Sequence, residues 1–149
     1  MAKYLKYVWL GIGAILAGVI LITVIALLLE KNPPVVQEPT WDSPQTRDLA
    51  VRACFDCHSN QTQWPWYDKL PFSSWLSVAD TLRGRRHLNF SEWGTSQVGG
   101  ERGRGVNDVI EVIREGSMPP GFYVMLHPKA NLTDQEKQQL IQGLQASLK

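Results

Sequence analysis

"SPQTRDLAVRACFDCH", Ser43 to His58, is the stretch on which the reading of this chain turns. Ser43 is a favoured N-cap residue, and Pro44 takes the first helical position, where its missing N–H is no loss. A helix is therefore expected to open here and run toward Phe55. It delivers Cys54-Phe55-Asp56-Cys57-His58: two thiols three residues apart, with an imidazole directly behind the second. The chain has only these 2 cysteines.

C-x-x-C-H is the attachment sequence of c-type haem. Two thiols at this spacing on a helix end can each add to one haem vinyl group, and the next residue then presents its imidazole to the iron. A redox disulfide would expect a βαβ context, which no part of the chain suggests. A zinc site would need a second ligand pair, and none is present. The expected cofactor is one haem c, covalently held by Cys54 and Cys57, with His58 as proximal ligand.

Toward the N-terminus, Val8–Leu29 is 22 residues without a charge, long enough as a helix to cross a bilayer core. Signal-peptide cores are shorter and end in a small-residue cleavage site, which Leu27-Leu28-Leu29-Glu30 lacks. Residues 1–30 are thus expected to be an uncleaved transmembrane anchor in the lipid bilayer. Lys3 and Lys6 precede the span, while Glu30 and Lys31 cancel behind it. The positive-inside rule puts the N-terminus in the cytoplasm and the rest on the periplasmic side. Residues 31–42 are proline-rich and read as a spacer, holding the following domain roughly 30 Å off the membrane.

Toward the C-terminus, residues 43–149 read as short helices and long loops. Ser73 or Ser74 can cap a helix carrying Trp75, Leu76, Val78, Ala79 and Leu82, with Gly84 as its stop. Asn107 can cap a third, with Val109, Ile110, Val112 and Ile113 as its apolar stripe and Gly116 at its end. Thr133 and Glu136 form a capping box for a last helix with Leu140, Ile141, Leu144 and Leu148 on one side. No strand pattern competes, so the domain is expected to be all-α. It promises little core of its own, a shortage that a large apolar cofactor would offset. The whole chain holds 15 Lys+Arg against 14 Asp+Glu, and this balance argues against a nucleic-acid partner.

The sixth iron ligand is sought in "REGSMPPGFYVMLHP", Arg114–Pro128. Met118 precedes two prolines, which hold the chain extended. His127 shares that geometry and is the rival. Met125 is expected in the core as a gap-filling thioether, and His87 in an exposed Arg-rich stretch. Met118 is the expected distal ligand. Trp64, Trp66, Tyr67 and Trp75 are expected to wall the haem, a buried indole N–H finding an acceptor in a propionate. Arg83, Arg85 and Arg86, with Arg102 and Arg104, form a basic cluster that either offsets propionate charge or faces solvent. Three glycosylation sequons, at Asn60, Asn89 and Asn131, read as incidental.

The blocks Cys54–Tyr67, Pro71–Trp75, Gly84–Trp93, Met118–Pro120 and His127–Pro128 resemble the small bacterial haem-binding domain family across about residues 43–148. The order of motif, loop methionine before proline, and final helix also resembles class I cytochromes c. The resemblance implies a membrane-anchored or periplasmic monohaem cytochrome c. With the anchor, the bacterial inner membrane is the expected location, and an electron-transfer protein rather than an enzyme is expected. Single-electron transfer to redox partner proteins is the expected role, alone or as a subunit of a respiratory or photosynthetic complex. A haem sensor with an exchangeable distal ligand, or a peroxidase-like enzyme, is the alternative.

Overall fold

The computed structural model describes residues 2–94 and 105–148, and all their regular elements are helical. One isolated parallel bridge joins Gln37 and Glu92. Arg102 and Arg104 of the expected basic cluster lie outside the described residues. The chain divides into two compact units, Met1–Lys31 with Trp64–Asp80, and Asn32–Gln63 with Thr81–Lys149.

In the first unit, α1 (Ala2–Leu29) contains Tyr4–Leu29, a span with mean hydropathy 3.0 that is long and apolar enough to cross a membrane. Most of its large side chains are exposed, but Ala26 is fully buried. The element packed against α1 is the 3-10 turn Trp66–Lys69. Asp68 of that turn is buried and accepts a hydrogen bond from Ser77. The Ser73 hydroxyl donates to the Tyr67 and Leu70 carbonyls, tying the turn to the start of α4 (Ser73–His87). Trp64 Nε1–H is buried without an acceptor among the described residues.

The second unit holds the core. α2 (Pro44–Ala53) opens as expected: the Ser43 side chain accepts from the Thr46 N–H, with Pro44 at the first position. α7 (Asp134–Ser147) begins with the expected capping box of Thr133 and Glu136. α2 packs on α7 with no side chain at Gly143, where a Cβ would stand 2.0 Å from Thr46 Oγ1. α5 (Val106–Arg114) also packs on α7, burying Val109, Ile110 and Ile113. It starts one residue before Asn107, on Gly105 as N-cap. Gly116 does end it, at φ +72°, a left-handed conformation glycine adopts without strain.

Two expectations are corrected here. Gly84 does not stop α4, which continues to His87. It is glycine because the helix passes against the turn that carries both cysteines, where a Cβ would meet the Cys57 carbonyl oxygen at 2.4 Å. The proline-rich stretch is also no free spacer. From Asn32 onward it belongs to the second unit, where Val36 and Gln37 donate their N–H groups to the Ser91 carbonyl and Trp93 donates to that of Gln37. Its Trp41 packs on Phe55 and Phe90, with centroids 6.2 and 5.4 Å away. Phe55, Phe90 and Trp93 continue the stack. The core is thus larger than the helices alone promised, because loop aromatics fill it; each such ring removes 150–250 Å² from water.

A histidine held beside two cysteines

Cys54 caps the end of α2 with its N–H on the Ala50 carbonyl. It also begins α3 (Phe55–His58), where the N–H groups of Cys57 and His58 both return to the Cys54 carbonyl. The break between α2 and α3 is a kink at one residue, and it places both cysteines and His58 within one helical turn. Phe55 is buried in the core and anchors that turn from behind. Neither cysteine is in a disulfide. Burial pushes the Cys54 thiol up to about 12, with the neighbouring Cys57 adding to the shift. Cys54 therefore stays a neutral thiol rather than a metal-binding thiolate.

His58 is gripped by the segment after α4. Its Nδ1 lies 3.1 Å from the Leu88 carbonyl oxygen, and the Phe90 N–H donates to the His58 carbonyl at 2.8 Å. A carbonyl oxygen only accepts, so Nδ1 carries the proton and Nε2 is the nitrogen with a lone pair. Burial lowers the imidazole pKa, while bonds to the Leu88 and Gly84 backbone act the other way. A neutral ring with Nδ1–H anchored on a backbone carbonyl is the arrangement used by metal-ligating histidines.

The loop after the motif is pinned as firmly. Ser91 Oγ accepts from the Asn60 N–H, Asn89 Nδ2 donates to Asn60 Oδ1, and Asn89 Oδ1 accepts from the Ser91 N–H. Asn60 and Asn89 are both 3% exposed, and their sequons serve this network. Arg85 donates Nε–H to the Ser59 carbonyl and its Nη2 group to Thr62 Oγ1 and Asn32 Oδ1. Its task in this fold is to tie the loop and the proline-rich segment together. Arg83, Arg86 and His87 are exposed.

The distal candidates separate. Met118 follows α5 in a turn, with its N–H on the Val112 carbonyl, and is 39% exposed. The stretch beyond it is not wholly extended: α6 (Gly121–Leu126) forms within it, its N-terminus set by Pro120. Met125 is 82% exposed and not in the core; in so short a helix it falls opposite the side Tyr123 turns inward. Tyr123 donates its hydroxyl to Asp56 Oδ2 at 2.6 Å, and the His127 ring stacks on it at 4.1 Å. Both rings line a cavity of about 410 Å³ that also takes in Phe55 and Asp56, the residues between the cysteines, but not the cysteines or His58. Trp64, Trp66, Tyr67 and Trp75 belong to the other unit. Sequence reasoning missed Leu88, Gly84, Tyr123 and Asp56 as parts of this site. A backbone carbonyl has no sequence signature, and neither member of the Tyr–Asp pair belonged to a pattern.

The residues fit a haem. The donor set is two cysteines outside any disulfide and an oriented imidazole, and α6 leaves Phe122, Met125 and Leu126 exposed. No group of three or more His, Cys, Asp or Glu gathers for a bare metal ion among the described residues. An all-α domain with this constellation defines a helical haem protein. The family model for the haem-binding domain matches residues 17–146, and the chain belongs to that family. No curated protein and no solved structure matches it.

Proposed function

We propose that this chain is a membrane-anchored monohaem c-type cytochrome carrying single electrons on the periplasmic side of the bacterial inner membrane. In this reading Cys54 and Cys57 form the thioethers, His58 Nε2 is the proximal ligand, Met118 is the distal ligand and α1 is the anchor. The observation that carries it is the orientation of His58 by Leu88 directly after two cysteines that form no disulfide. A haem so bound supplies a one-electron couple whose potential its axial ligands tune. The protein's own part is to hold the imidazole in one tautomer, keep the motif turn rigid through Phe55 and Phe90, and keep water from that side. Such a carrier works through redox partner proteins, alone or within a larger membrane complex. Its class is electron transfer rather than enzyme.

The test is production alongside a c-type haem maturation system. Wild type should keep its haem through a denaturing gel and give the haemochrome spectrum of a doubly thioether-linked haem. Cys54→Ser/Cys57→Ser should release the haem. Wild-type haem that acid–acetone extracts would refute covalent attachment and leave a non-covalent haem domain.

A further inference from the structure

The first unit bears an apolar surface that its own packing leaves uncovered. Between residues 66 and 76, Trp66 is 76% exposed, Phe72 74%, Leu76 60%, Leu70 49% and Trp75 48%. Water is a poor environment for so much apolar surface within eleven residues, and exposed apolar surface so concentrated marks an interaction.

The location of the segment says what covers it. The 3-10 turn Trp66–Lys69 is the element that packs against α1, and α1 has its fully buried residue at Ala26. Ala26 stands three residues before Leu29, where the apolar span ends; at 1.5 Å per residue that is about 4.5 Å inside the helix end. The turn therefore lies alongside the last turn of the span, where hydrocarbon gives way to headgroups. Beyond Leu29, the Glu30 carboxylate lies within electrostatic reach of Asp68 and Lys69 of the same turn. The composition suits that level, since Trp and Tyr concentrate at membrane–water interfaces with lysines beside them. Here Trp66, Tyr67, Lys69 and Trp75 provide it. The backbone adds an independent sign. Phe72 sits at φ +71°, a region bulky residues occupy only under strain, and it presents its ring outward.

We propose that residues 66–76 form an interfacial element, with Trp66, Phe72 and Leu76 seated in the headgroup–acyl boundary of the bilayer that α1 crosses. The proposal rests on the reading of α1 as an anchor. It replaces a haem-facing role for Trp66 with a lipid-facing one. The segment gives the exported chain a second grip on the membrane and fixes the unit's tilt, which a single helix does not do.

Position-specific photocrosslinking of the full-length, haem-loaded protein in phosphatidylcholine–phosphatidylglycerol vesicles tests it. p-Benzoylphenylalanine replaces Trp9, Trp66, Phe72 or Gln145, one at a time; Gln145 is an exposed α7 residue of the second unit. Lipid adducts read by mass should form at positions 9, 66 and 72, at about tenfold the yield at 145. Adducts at 9 alone would overturn the proposal and leave the anchor standing. No adduct at 9, 66 or 72 would remove the anchor and the proposal together. Crosslinks from 66 and 72 to haem or to protein, in place of lipid, would overturn it in favour of an aromatic haem wall or a protein partner. Equal lipid yield at 145 would overturn it as well.

Discussion

Gly84 and Cys57 touch through their backbones: a Cβ on Gly84 would stand 2.4 Å from the Cys57 carbonyl oxygen and 3.1 Å from its Cβ. The contact sets α4 against the motif turn and lets the chain after His87 reach His58. It also explains a glycine inside a helix, where glycine ordinarily costs about 1 kcal/mol relative to alanine.

Gly84→Ala should therefore destabilise the protein despite its helical gain. Overpacking against backbone costs about 1–3 kcal/mol; set against the helical gain of about 1 kcal/mol, the net loss should reach up to about 2 kcal/mol, read from the denaturant midpoint. A stabilised variant would mean that α4 and the motif are less tightly joined than the geometry requires.

Gly143 poses the same problem with a softer neighbour. Its absent Cβ would meet Thr46 Oγ1 at 2.0 Å, Cγ2 at 2.4 Å and Cβ at 2.8 Å. Gly143→Ala should separate α2 from α7, and Thr46→Ala should restore part of the loss by removing the two nearest atoms. A coupling of about 1 kcal/mol in the double-mutant cycle is expected for residues in contact. Purely additive effects would contradict the contact.

These two glycines mark where the sequence was and was not legible. Caps are local chemistry, so Ser43-Pro44 and Thr133-Glu136 could be read directly, as could the apolar stripes of α5 and α7. The Cys54–His58 motif was legible as a pattern because its spacing is itself the signature. Tertiary contact was not. Gly84 has the local look of a stop signal, and only the Cys57 carbonyl explains it. The proline-rich segment lacks periodicity and so reads as a tether. Its docking depends on backbone bonds to Ser91 and Trp93 and on Trp41 finding Phe90, partners some fifty residues away in the sequence. Arg85 could be read as a counter-charge or as facing solvent, and its fork bonds the loop after His58, which no sequence pattern announced.

The docked segment should show in acid. The Glu38 carboxylate accepts from Arg47 at 2.7 and 2.8 Å, from Gln61 at 2.7 Å and from Trp41 at 2.9 Å. The Arg47 hydrogen bond, chiefly, holds its pKa at about 2, down from 4.5. The unfolded chain then takes up this proton first as pH falls. The stabilisation is complete above pH 4.5 and is lost on the way down to about 2. Glu38→Gln should be less stable than wild type at neutral pH, and the two stability curves should converge across that window. Parallel curves would show that the pair contributes nothing on folding.

The distal ligand gives the last prediction. Gly116 turns the chain at φ +72°, and Ser117 and Met118 both donate to the Val112 carbonyl at 3.1 Å, so the methionine leaves a fixed turn. His127 is engaged elsewhere: its ring lies on Tyr123, whose hydroxyl is held by Asp56. Using His127 as a ligand would require breaking that stack, whereas the Met118 side chain is part-exposed beyond its turn. Under the haem c reading, oxidised wild type should show the weak far-red iron–thioether band. Met118→Ala should abolish the band and lower the reduction potential, because His/Met ligation raises it. His127→Ala should keep both. The opposite pattern, with the wild-type spectrum surviving in Met118→Ala and changing in His127→Ala, would assign the iron to His127 and require α6 to rearrange around it.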